Sequence, residues 1–319
     1  MQYNYETVEQ LRQFAQKKKI AYTVLAVGLV CLLLFFPLGI VMLIGGGVYL
    51  WQIGKQQKAL EQRGSDDILL PALREVCPDG QFLTEKSFTY AELLDTGLSG
   101  ERISGASSKS VIKGTFKGLP MRMAQITTGV DVHEYEGSRF KIVFDGTLLR
   151  YETPKNALYP ILIYEKGFWQ EHMELPNGME TFTAEKQQLN ERFCFCGDMG
   201  AKRLVDDRLT DTLLRQPHFA FASDAVPTKP SANTGDRIEK GLRSFAQGNF
   251  AATALLPCRW FLYWEEKALW LACSNTMDLC DPTQVSGAAA RSVTEKAELL
   301  QKLPLIPLDI FEAMTGSAQ

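Results

Sequence analysis

Residues 20–53 read IAYTVLAVGLVCLLLFFPLGIVMLIGGGVYLWQI, and no charged residue occurs between Lys19 and Lys55. A helix crosses a hydrocarbon core of about 30 Å with about 20 apolar residues, each rising ~1.5 Å. Thirty-four residues exceed one crossing. One helix of that length would be about 50 Å long and would need a tilt far beyond the usual ~20°. Phe36-Pro37-Leu38-Gly39 interrupts the run, because proline lacks a backbone donor and glycine tolerates a turn. The stretch therefore reads as a two-helix transmembrane hairpin, residues 20–36 and 40–53, with Tyr22, Tyr49 and Trp51 as interfacial anchors.

Charge sets the expected orientation. Arg12, Lys17, Lys18 and Lys19 precede the run, and Lys55, Lys58 and Arg63 follow it. Basic residues beside a span are retained in the cytoplasm. A hairpin with both termini cytoplasmic satisfies both flanks, which predicts a multi-pass protein of the inner (cytoplasmic) membrane with the lipid bilayer as a partner. A cleaved signal peptide fits less well, since a polar segment precedes the run and no small-residue cleavage pattern closes it. The seven cysteines are an odd set without a C-x-x-C pair, as reduced cytosolic thiols would be. Gly45-Gly46-Gly47 allows close helix approach, within the hairpin or to a second copy.

The expected fold class is α+β: the N-terminal transmembrane helical hairpin, then a soluble domain with an antiparallel β-sheet and flanking helices. Residues 1–19 form an amphipathic cytoplasmic helix with Val8, Leu11, Phe14 and Ala15 at helical spacing. Residues 20–53 are the hairpin and 54–64 an exit helix or linker. Residues 65–225 make the α+β cytoplasmic domain, 226–237 a linker or insertion, and 238–319 a C-terminal helix, β-hairpin and helix packing on the same domain. Within these, 65–76 and 89–95 read as helices, and 110–116, 121–127, 140–144, 148–152, 159–164 and 193–196 as strands. Asp145-Gly146 predicts a tight turn between two of the strands. Thr210 is the expected cap of a helix that stops at Pro217. A helix follows over 236–247, then an aromatic hairpin over 259–273 and a helix over 285–303.

The ordered motifs Gly114-Thr115-Phe116-Lys117-Gly118, Phe144-Asp145-Gly146, Phe193-Cys194-Phe195-Cys196-Gly197-Asp198, Leu209-Thr210-Asp211 and Leu279-Cys280-Asp281-Pro282 resemble the bacterial membrane-associated family called domain of unknown function 3137. The resemblance covers about residues 20–282 and implies a pair of membrane helices before the strand region. The chain departs from the family at Met199, Asp211 and Cys280, and residues 155–190 and 226–255 look like insertions. The family supplies no catalytic residues.

The chemistry-bearing candidates each have a plain structural alternative. Gly100-Glu101-Arg102-Ile103-Ser104-Gly105 has phosphate-loop glycine spacing, but Ala106-Ser107 stands where Lys-Ser or Lys-Thr is required, so a turn is expected. Cys194 and Cys196 would share one strand face, with Cys273 or Cys280 as further soft ligands, against the default of packed thiols. Asp206-Asp207 diverge in either helix or strand and suit a helix approach better than acid/base work. His133, His172 and His218 lie outside any hydrolase motif. Trp260, Phe261, Tyr263, Trp264 and Trp270 crowd one hairpin, where alternation would bury about half of them.

With a net charge of −3 and basic residues scattered beyond Arg63, nothing suggests a nucleic-acid partner, and none is expected. No catalytic residue, cofactor or metal site is assigned. The expected function is a membrane-anchored cytoplasmic binding or scaffolding protein, with a homo-oligomer or another protein as possible partner. The alternative is a membrane-proximal hydrolase with an unidentified active site.

Overall fold

Two long helices open the chain in the computed structural model, which describes residues 5–34, 36–84, 88–96, 98, 103–107, 111–134, 137–168, 175–176, 179–216, 219–222, 255–274, 279 and 290–316. They are α1 (Tyr5–Leu34) and α2 (Phe36–Gly64), and they fold back on one another. Pro37 is the second residue of α2, in the first turn, where a missing N–H costs nothing. α1 is thus described to Leu34 and α2 from Phe36. Gly39 is needed near Pro37, because a Cβ there would run into the Leu32 backbone. Further along, Gly28 faces Met42 and Gly46 faces Leu25, while Phe14, Ala21 and Ile53 close the buried seam.

This arrangement corrects the membrane reading. Among the described residues, no helix is long and apolar enough to cross a membrane. The apolar run is shared between two helices that each continue into charged sequence. In α1 the uncharged part is residues 20–34, about 22 Å at ~1.5 Å per residue, short of the ~30 Å a span needs. In α2 it is diluted by Pro37, Gly39, Gly45, Gly46, Gly47, Tyr49 and Gln52. The N-terminal transmembrane hairpin falls, and with it the multi-pass inner-membrane placement. The helix expected over 1–19 is not separate either, since α1 runs unbroken from Tyr5.

From α2 the chain passes through a single π turn (Ser65–Leu69) into α3 (Leu70–Val76), and Thr7 Oγ1 donates to Asp67 Oδ2 at 2.7 Å to tie α1 to that turn. Next come β1 (Gln81–Leu83) and α4 (Tyr90–Asp95), the latter closed by a capping box in which Thr89 and Glu92 satisfy each other's backbone N–H groups. The strands are β2 (Ile103–Ser107), β3 (Val111–Phe116), β4 (Leu119–Glu134), β5 (Gly137–Glu152), β6 (Ile161–Glu165), β7 (Glu180–Phe182) and β8 (Phe193–Gly197), with α5 (Gln187–Arg192) before the last. α6 (Asp207–Arg215) and the small pair β9 (Phe219–Ala222) and β10 (Leu255–Cys258) follow. β11 (Trp260–Glu265), β12 (Ala268–Ser274), α7 (Ala290–Lys302) and α8 (Leu305–Thr315) complete the fold. The linker expected over 226–237 and the helix over 236–247 lie outside the described residues.

Nine strands line up as β1-β3-β4-β5-β12-β11-β6-β8-β7, and β2 adds to β4, giving a ten-stranded sheet whose pairings are all antiparallel. The α+β class with an antiparallel sheet thus holds. The C-terminal hairpin β11–β12 sits in the middle: β12 pairs with β5, and β11 with β6. It joins a β1–β5 half to a β6–β8 half.

Asp145-Gly146 is not a turn. Both residues lie inside β5, opposite Thr127 and Ile126, and Gly146 also faces Ser274 of β12. A Cβ at Gly146 would strike the Cys273 carbonyl, so glycine is required by strand approach rather than by positive φ. Asp145 Oδ1 instead accepts from Thr127 Oγ1 at 3.1 Å and Gln125 Nε2 at 3.3 Å. The two-residue turns occur at Lys117-Gly118 and Glu266-Lys267, where Lys117 and Glu266 both take φ of 47°.

Both faces of the sheet are covered at its centre. One face packs Trp260, Leu262, Leu271 and Tyr151 beneath α3, α6, α7 and α8. The other packs Phe261, Tyr263, Trp270 and Leu148 beneath Leu93 of α4, Leu98 and Phe168. All five hairpin aromatics are consequently buried, not half of them.

Candidate binding site

α6 is placed by Asp206, whose Oδ1 accepts from Leu209 N at 2.8 Å, so Asp206 and not Thr210 is the cap. Leu209 and Leu213 bury one face of the helix. Arg208, Thr212 and Arg215, spaced i, i+4 and i+7, share another. α8 buries Ile306, Ile310, Phe311 and Met314 and leaves Asp309 and Glu312 exposed. The two helices pack together, and between them lies a cleft of about 250 Å³ floored by Gln216 and Ala313.

A buried ion pair fixes the end of α6. Arg192 donates to Glu165 Oε1 through Nε at 3.0 Å and Nη2 at 2.7 Å, and through Nη1 to the Gln216 carbonyl at 2.8 Å. Glu165 Oε2 accepts from Trp260 N at 3.3 Å, so β6, α5, β11 and the cleft floor meet in one network.

The cleft has one cationic and one anionic wall. Arg208 and Arg215 stand on α6, Asp309 and Glu312 on α8, and none of the four makes an ion pair with another described residue. Burial pushes the Asp309 carboxyl above its ordinary value, Lys117 opposes this, and the Glu312 charge adds to it. The cleft can therefore offer donors to an anion on one side and acceptors to a cation on the other.

A second charged group lies on the opposite face of the sheet. Lys113, Arg122 and Arg150 stand in register on β3, β4 and β5, with Trp270 next in the row. Glu92 of α4 takes an ion pair from Arg122 and approaches Arg150 at 4.0 Å, while Arg122 lies over Phe88 and Arg150 over Trp270. Burial raises the Glu92 carboxyl, but the Thr89 N–H and the Arg122 guanidinium outweigh it and hold the group below its ordinary value. Here the carboxylate is spent inside the fold.

The residues singled out from the sequence scatter. Cys194 and Cys196 do share one face of β8, beside Tyr164, but Cys273 is buried on the other face of the sheet. Burial and the neighbouring Cys194 push the Cys196 thiol up to about 11, and burial with Asp79 does the same to Cys77, so neither is a thiolate at neutral pH. Among the described residues no group of three or more potential ligands could hold a metal. Asp207 pairs with Lys186 at 3.0 Å while Asp206 caps α6, so the two carboxylates serve separate partners. His133 falls in β4, and the side chain of His133, with His172, His218, Cys280 and residues 100–102 of the glycine loop, lies outside the described residues. The cleft was missed because its walls are about a hundred residues apart. The α6 spacing of Arg208, Thr212 and Arg215 was its one linear trace.

The α1–α2 hairpin carries an exposed apolar face, on which Val41 is 68 %, Phe36 66 %, Trp51 63 % and Ile44 62 % exposed. Gly45, Gly47 and Gly54 open onto free space, with nothing within 4 Å of an added Cβ.

No family model matches the chain, and no curated protein is significantly similar to it. The crystal structure of the mycobacterial trehalose monomycolate transport factor A aligns over 75 % of this chain and 96 % of its own, at 13 % identity and a TM-score of 0.36.

Proposed function

We propose that the chain is a binding and scaffolding module that self-associates through the exposed apolar face of the α1–α2 hairpin. The exposure of Phe36, Val41, Ile44, Val48 and Trp51 along α2 carries this reading, because monomers rarely leave a contiguous apolar patch of that extent unpartnered. A second copy is the favoured occupant. The open Gly45 and Gly47 sit between Ile44 and Val48, so ridge and groove lie on the same surface, which is what a two-fold interface requires. Gly46 is already committed to Leu25 inside the hairpin, so the triplet serves both contacts.

Sedimentation of the full chain tests the proposal, with and without phosphatidylcholine vesicles. The expected result is a concentration-dependent dimer that Val41→Asp with Ile44→Asp converts to a monomer while near-ultraviolet dichroism of the buried tryptophans stays unchanged. A wild-type monomer, or flotation with vesicles in place of self-association, overturns it.

A further inference from the structure

Opposite charges on facing elements can close into ion pairs, and in this chain several do. In the α6–α8 cleft they do not: Arg208 and Arg215 on one wall, and Asp309 and Glu312 on the other, make no ion pair with a described residue. Elsewhere in the chain such groups do pair, as Lys186 with Asp207, Arg122 with Glu92 and Arg192 with Glu165. The cleft is also held from behind, since Arg192 fixes the Gln216 carbonyl and Thr212 Oγ1 donates to the Arg208 carbonyl at 2.9 Å.

We propose that the α6–α8 cleft binds a small dipolar molecule, its carboxylate held by Arg208 and Arg215 and its ammonium by Asp309 and Glu312. Guanidinium groups present planar forks of donors to a carboxylate, and a pair of carboxylates accepts from an ammonium, so each wall is matched to one end of the ligand. A volume of about 250 Å³ equals roughly eight water molecules at ~30 Å³ each, room for a zwitterion of dipeptide size and too little for a folded partner. The Asp309 carboxyl, raised by burial, eased by Lys117 and raised again by Glu312, gains from a bound cation. The site is separate from the hairpin, so its failure leaves the self-association reading standing.

Calorimetric titration of the full chain with glycylglycine as the probe, against acetate and ethylammonium as its separate halves, tests the proposal. The dipeptide is expected to bind with a Kd of about 1 mM or tighter, and each half at least tenfold more weakly. Arg215→Gln and Glu312→Gln are each expected to weaken the dipeptide tenfold or more, and Arg203→Gln, outside the cleft, to leave it unchanged, all three melting with the wild type. No dipeptide binding at that level, binding equalled by acetate alone, or binding indifferent to both cleft variants overturns the proposal.

Discussion

Replacing Arg192 with alanine removes the cation from the most enclosed ion pair described in the chain. The Arg192 and Glu165 side chains are 14 % and 8 % exposed, and Arg192 supplies two hydrogen bonds to Glu165 and one to the Gln216 carbonyl. Removing one partner leaves a buried carboxylate without its counter-charge, which costs about 3–5 kcal/mol, whereas an exposed pair would be worth under about 1 kcal/mol. Against a total stability of about 5–15 kcal/mol this is a large fraction. At a denaturant slope of about 2 kcal/mol per molar urea it moves the midpoint down by about 2 M. Glu165→Leu combined with Arg192→Met should cost clearly less than the two single changes added, because no charge is left stranded. Urea unfolding followed by tryptophan fluorescence reads all of these. A loss below about 1 kcal/mol for Arg192→Ala, or strict additivity in the pair, would refute the claim that the network is desolvated and holds the end of α6.

Gly146→Ala should destabilise by about 1–3 kcal/mol through its collision with the Cys273 carbonyl, measurable by the same unfolding curves; a neutral result would mean β5 and β12 are farther apart than described. Glu92, held below its ordinary carboxyl value, contributes stability that is present above about pH 4.5 and lost as pH falls through its folded value. Glu92→Gln should flatten the stability profile in that acid window, and an unchanged slope would count against the capping-box and Arg122 contacts. Trp264 Nε1 is buried with no hydrogen-bond partner among the described residues, so Trp264→Phe should cost less than the 3–5 kcal/mol typical of deleting a buried aromatic outright, by differential scanning calorimetry.

Short β-branched and aromatic runs set between turn residues made most of the sheet legible, at 110–116, 121–127, 148–152 and 159–164, and alternation added 193–196. Distant partners decided the rest. Asp145-Gly146 reads as a turn from its two residues alone, and only the Cys273 carbonyl, far along the chain, makes glycine a strand residue there. The hairpin aromatics read as half-buried because the second layer over them comes from Phe88, Leu93, Leu98 and Phe168, short segments without a period of their own. Pro37 reads as a helix breaker but is harmless in the first turn of α2; α1 and α2 each run on into charged sequence at the end away from the proline, and that undid the expected spans. The cleft could not be read because α6 and α8 meet only through the folded core.

The central place of the β11–β12 hairpin has a consequence for synthesis. Until residue 274 has left the ribosome, the strands made first and those made next have no edge in common, and each would present unpaired backbone and buried-type side chains to the cell. A chain truncated before Trp260 should therefore yield two sticky half-sheets rather than a smaller version of the protein, and a nascent chain should depend on chaperones until its last fifth appears.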